Sequence, residues 1–144
     1  MRVSMARTAR GFTLIEVMVV VVILAILAAM IVPRIMSRPE QARKVKARTD
    51  VMAIDNALEM YKLDNGFYPS NEQGLKALVK KPAGEPVPQA WQSGGYLKNL
   101  PQDPWGQAYQ YRNPGQHGEV DVWTHSPSDP KDVLIGNWSV NRSS

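Results

Sequence analysis

Residues 12–32 form a run of twenty-one positions whose only polar side chains are Thr13 and Glu16, and this run decides most of what the chain can become. At about 1.5 Å of helical rise per residue it spans roughly 30 Å, the hydrocarbon thickness of a bilayer. Its later part, residues 17–32, carries no charge, and a helix apolar on every side needs either a membrane or a large body of protein to cover it. A chain of 144 residues cannot supply the second. The run is therefore expected to be a membrane helix, and Glu16 is its anomaly, since an ionisable group in an apolar span is costly enough to signal function.

Charge alone leaves the orientation open. Arg2, Arg7 and Arg10 precede the run and would favour a cytoplasmic start, but Arg34, Arg38, Arg43, Lys44, Lys46 and Arg48 follow it with only Glu40 against them. The formal net charge of +4 is itself uneven. Three of the seventeen basic residues lie in residues 1–11, and residues 66–144 hold seven basic and seven acidic side chains, so no nucleic-acid partner is expected. The absence of cysteine excludes a disulfide framework.

Three readings fit a basic start followed by an apolar run. A secretory signal peptide would be cut near the small residues Ala25, Ala28 and Ala29, but gives Glu16 no purpose. A permanent anchor leaves it equally unexplained. A leader cut after Gly11 provides a partner, because the new ammonium on Phe12 would lie one helical turn from Glu16 and oppose the positive end of the helix dipole. Between neighbouring helices the same amine and carboxylate could pair, and in apolar surroundings a slip in register would strand a buried charge at a cost of several kcal/mol.

The stretch Gly11-Phe12-Thr13-Leu14-Ile15-Glu16 resembles the processing site of type IV pilins and pseudopilins. That resemblance implies a prepilin peptidase that cuts after Gly11 and methylates the new N-terminal Phe12, with Glu16 as the assembly carboxylate.

Beyond Pro33 the pattern stays helical, with Val51, Ile54, Leu58 and Tyr61 forming an apolar stripe and Lys46, Asp50, Asn56, Glu59 and Lys62 pointing elsewhere. The helix is expected to run to about residue 63, closed by Asp64-Asn65-Gly66. Asp55 and Glu59 are read as a solvated face. A short helix is expected over residues 71–80, capped by Ser70 or Asn71, followed by a loop at residues 82–88 and a bend at residues 100–106. Strands are expected over residues 108–112, 120–124 and 137–140, with Val120 and Val122 inward and Asp121 and Trp123 outward. The fold class is α+β, a long N-terminal helix packed on a small antiparallel sheet.

Tyr61-Lys62-Leu63-Asp64-Asn65, Tyr68-Pro69, Gln73-Gly74-Leu75, Gly95-Tyr96-Leu97, Leu100-Pro101, Asp103-Pro104-Trp105-Gly106 and Ile135-Gly136-Asn137-Trp138 make the chain similar, over nearly its whole length, to the type II secretion major pseudopilins, the G-subunit family within the type IV pilin-like superfamily. The resemblance implies a cleaved leader (1–11), a transmembrane part of the helix (12–32), a soluble part (33–65) and a periplasmic domain (66–144). It further implies a single-pass inner-membrane precursor with a cytoplasmic leader. Its product would be a homopolymeric pseudopilus that helps export folded proteins across the outer membrane, working with minor pseudopilins, an inner-membrane assembly platform and the prepilin peptidase. A type IV pilin or competence pseudopilin is the nearest alternative, and a membrane-anchored periplasmic enzyme the more distant one.

The family tends to bind calcium in the loop between its second and third strands. Here that loop, residues 124–134, is shorter and offers only Asp129 and Asp132 as carboxylates, with Lys131 between them and Ser128 where the family tends to place an Asp. Calcium wants six to eight oxygens, so Asp129 and Asp132 are its candidate ligands only with help from carbonyls and water; the alternative is a solvated Ser-Pro-Asp turn. His117 and His125 lack the spacing of a zinc site, Ser126 and Ser128 lack an oxyanion hole, and the four tryptophans read as packing. No catalytic residue is expected. Arg43, Lys44, Lys46 and Arg48 are candidates for contacts with anionic headgroups or with acidic residues of a neighbouring subunit.

Overall fold

The computed structural model describes residues 10–129, 131 and 133–140, with the backbone alone for residues 31–38. Two compact units divide the chain, one ending at Pro39 and the other running from Glu40. The order of elements is helix α1 (Leu14–Asn65), a 3-10 turn (Leu75–Leu78), strands β1 (Gln110–Arg112), β2 (Asp121–His125) and β3 (Leu134–Gly136), and a single helical turn α2 (Asn137–Val140).

In the first unit α1 begins at Leu14 because Thr13 caps it: the Thr13 hydroxyl accepts the Glu16 N–H at 3.3 Å, which satisfies one of the donors a helix start leaves open. From Leu14 to Met30 the large apolar side chains are about half exposed or more on every side. Among the described residues no helix is long and apolar enough to cross a membrane; the described side chains of the apolar run stop at Met30, roughly 25 Å of helical rise from Leu14. Pro33 and Pro39 both remain within α1.

The second unit is built on the expected stripe. Val51, Ile54, Leu58 and Tyr61 are each fully buried and pack with Leu75, Leu78, Tyr109, Val120 and Val122 into one core. Burying side chains of this size contributes about 1.5–3 kcal/mol each, which is what fixes this part of α1 to the sheet. The helix ends at Asn65, and Gly66, at a φ of 83°, returns its N–H to the Lys62 carbonyl at 2.7 Å. Gly95 is needed for space as well as conformation. Its φ is 80°, and a Cβ there would come within 2.9 Å of the Leu78 carbonyl that accepts the N–H groups of Tyr96 and Leu97.

The sheet is antiparallel in the order β1-β2-β3, with Tyr111 opposite Val122 and Thr124 opposite Ile135. Four expectations need correction. Residues 71–80 hold turns and the 3-10 segment instead of a helix, because Gly74 precedes it at a φ of 58° and Ser70 and Gln73 close on each other as a separate turn. The third strand is Leu134–Gly136, and Asn137–Val140 coils into α2 because the Asn137 side chain takes the place a strand would occupy. Its Oδ1 accepts the Val122 N–H at 3.2 Å, and its Nδ2 donates to the Val120 carbonyl and to Asp55. Asp55 is therefore a tie between α1 and α2 and not simply a solvated face. Asp121, expected outward, is 1% exposed and accepts the N–H groups of Gln116 and His117, holding the loop before β2. Burial raises its carboxyl pKa, but those bonds and the His117 ring outweigh it and leave the pKa below the ordinary value.

Candidate functional site: the N-terminal processing segment

Gly11, Phe12 and Glu16, singled out from the sequence, lie together at the start of α1. Gly11, Phe12 and Thr13 have no regular secondary structure, and Phe12 is 82% exposed. The Gly11–Phe12 peptide bond thus lies two residues before the first residue of α1, in an exposed stretch. Gly11 itself is not demanded by the fold: a Cβ built there meets nothing within 4 Å. By contrast Gly95 has a local reason to be glycine, in its positive φ and the Leu78 carbonyl against it.

Glu16 stands exposed on the first turn of α1, beside Phe12, Val17, Val20 and Val21. A carboxylate in the first turn suits the positive end of the helix. Thr13 caps the helix, and Thr13-Leu14-Ile15-Glu16 has the S/T-x-x-E spacing of a capping box directly before an apolar run, a signal the sequence carried. The leader residues 1–9 lie outside the described residues.

Three residues of the basic cluster after the apolar run pair with acids of their own chain, Arg43 and Lys46 from the exposed surface and Lys44 partly buried. Arg43 reaches Glu40 at 3.4 Å, Lys46 pairs with Asp50, and Lys44 Nζ donates to Asp129 Oδ2 at 2.8 Å. Glu40 also accepts the Ser126 hydroxyl at 3.0 Å. Burial raises the Glu40 pKa, but the Ser126 and Arg43 hydrogen bonds, with the Trp105 indole facing the same carboxylate, bring it below the ordinary value. A shallow groove between this stretch of α1 and β3 exposes Val45, Met52, Val133 and Leu134.

Of the two candidate calcium ligands, Asp132 lies outside the described residues. Asp129 has both oxygens engaged, Oδ2 by Lys44 and Oδ1 by the Lys131 N–H at 3.0 Å. Among the described residues no three His, Cys, Asp or Glu side chains converge as a metal site. So placed, Asp129 is a poor fit to a calcium ion, which needs oxygens where this carboxylate meets an ammonium. His117 and Ser126 are likewise occupied structurally. His117 Nδ1 lies 3.2 Å from Asp121 and its ring stacks on Trp138 at 3.9 Å, while Ser126 donates to Glu40.

Residues 34–133 match the family described as type II secretion system (T2SS), protein G, and residues 6–32 match the prokaryotic N-terminal methylation motif. The type II secretion system core protein G of Pseudomonas aeruginosa is 56% identical over 137 residues, covering 92% of this chain and 96% of that protein. Its counterpart in Dickeya chrysanthemi is 51% identical over 138 residues, covering 94% and 90%. The fold is similar to the crystal structure of the major pseudopilin from the type 2 secretion system of enterohaemorrhagic Escherichia coli. The TM-score is 0.68 and the identity 41%, over 76% of this chain and 93% of that one. On its sequence and its fold, the chain belongs to the type II secretion system protein G family.

Proposed function

We propose that this chain is the precursor of a major pseudopilin: a prepilin peptidase cuts after Gly11 and methylates Phe12, and the product polymerises into a pseudopilus that helps export folded proteins across the outer membrane. The observation that carries the reading is the exposed apolar surface of α1 from Leu14 to Met30, interrupted only by Glu16 one turn from Phe12. An apolar surface exposed all round needs cover, from lipid in the precursor and from the helices of neighbouring copies in a filament. Glu16 then sets the register by meeting the Phe12 amine of a neighbour, since any slip leaves a charge buried without a partner.

The segment 12–32 is the membrane-spanning part, with the leader cytoplasmic and the domain from residue 66 in the periplasm. Minor pseudopilins and the inner-membrane assembly platform are the expected partners. The role is structural and not catalytic, with the polar side chains nearest to a catalytic look, His117, Asp121 and Ser126, each spent on holding loops. Replacing Glu16 by Ala tests this. The variant precursor is expected to be cut at the same Gly11–Phe12 bond as the parent, its mature mass differing only by the Glu-to-Ala replacement, and to yield no filaments by electron microscopy when co-expressed with the secretion apparatus. Filaments of normal length and number from Glu16→Ala would defeat the register argument.

A further inference from the structure

The β2–β3 loop is held to α1 at two points one helical turn apart. Glu40 takes the Ser126 hydroxyl at 3.0 Å, and Lys44 takes Asp129 at 2.8 Å in a pair whose side chains are only 33% and 15% exposed. The loop also closes on itself, the Asp129 N–H bonding the Ser126 carbonyl at 3.1 Å and the Lys131 N–H bonding Asp129 Oδ1 at 3.0 Å.

We propose that Lys44 is the built-in cation of this loop, its ammonium filling the place beside Asp129 that a calcium ion would otherwise need, so that the loop is fixed to α1 without metal. Three features argue for it. The ammonium is tethered to α1, so its presence at the carboxylate does not depend on the concentration of a free ion, as the occupancy of a metal site would. Asp129 spends its second oxygen on backbone, so both of its oxygens already accept a hydrogen bond where calcium would have to draw on them. A dication brought to Asp129 would also meet the charges of Lys44 and of Lys131, whose like charge opposes it.

The test uses the full-length mature protein in detergent micelles and follows two readouts: tryptic cleavage after Lys131, read by mass spectrometry, and thermal unfolding, read by tryptophan fluorescence. Neither EDTA nor calcium at about 1 mM, enough to fill an extracellular-type site, is expected to change the cleavage rate or the unfolding midpoint of the parent. Lys44→Met and Asp129→Asn are each expected to speed cleavage about fivefold, as loss of a half-buried ion pair would, and the double variant no more than either alone. Lys44→Arg should stay near the parent. Acceleration of parent cleavage by EDTA, its slowing by calcium, or a parental rate in Lys44→Met would each overturn the proposal. If Lys44→Met unfolds outright, the parent with and without metal and the Lys44→Arg variant still decide it.

Discussion

Asp103 offers the sharpest test of how the Glu40–Ser144 unit is held together. It is 4% exposed, and its Oδ1 accepts the N–H groups of Trp105 at 3.0 Å and Gln107 at 2.7 Å, while its Oδ2 accepts the hydroxyl of buried Thr124 on β2. One carboxylate thus shapes the Asp-Pro-Trp-Gly turn and ties it to the central strand. Asp103→Ala removes both acceptor oxygens and with them all three hydrogen bonds. The Thr124 hydroxyl, 3% exposed, is left without a partner at about 1–3 kcal/mol, and the two N–H groups, nearer to water, add about 0.5–1 kcal/mol each. The sum is about 3 kcal/mol, which for a unit of this size is worth about 12–24 °C of melting temperature. All four tryptophans lie beyond Glu40, so the fluorescence melt of the full-length protein in detergent reports this unit and not the apolar helix. Asp103→Asn is the control. Its carbonyl keeps both N–H groups and its amide can donate to a reoriented Thr124 hydroxyl, so it should lose less than half as much. An Ala variant melting within about 3 °C of the parent, or an Asn variant as damaged as the Ala variant, would show that these bonds do not carry the stability assigned to them.

Two further outcomes follow from the same geometry. Gly11→Leu should leave the leader attached, because the fold has room for the new side chain and only the peptidase would object; intact-mass measurement showing a Phe12 N-terminus would refute this. All five tyrosines are held above the ordinary phenol pKa, and burial, then the charge and hydrogen bond of Glu119, push Tyr68 up to about 12. A folded pKa above the unfolded value means this contribution to stability is complete below pH about 10 and fades as pH rises toward about 12, so native phenolate absorbance should lag that of the urea-unfolded chain. Coincident titration curves would contradict the burial argument.

What could be read from the sequence was whatever depends on repetition along the chain. The stripe Val51, Ile54, Leu58, Tyr61 reports its own burial through helical spacing, and the run after Gly11 reports its need for cover through its composition. What escaped depends on a side chain meeting backbone far away. Asn137 takes the ladder position of a strand by bonding Val122, fifteen residues earlier, and no local propensity carries that information. Asp121 alternates as an outward residue should, yet its carboxylate turns back to organise the preceding loop, a reversal that period-two patterning cannot register. Lys44 and Asp129 are eighty-five positions apart, so nothing local to either residue marks the pair that the fold makes of them. Thr13 was legible and overlooked; its spacing to Glu16 was the signal.

Thr13 has a consequence for the proposed cut after Gly11. Because the hydroxyl that starts α1 lies on the far side of the Gly11–Phe12 bond from the leader, a cut at that bond takes away no residue on which the first turn depends. Substrate and product of the peptidase would then share one helix, begun at the same residue. Such a cut would alter the electrical character of the chain end while conserving its geometry, so the subunit would need no refolding between being processed and being stacked.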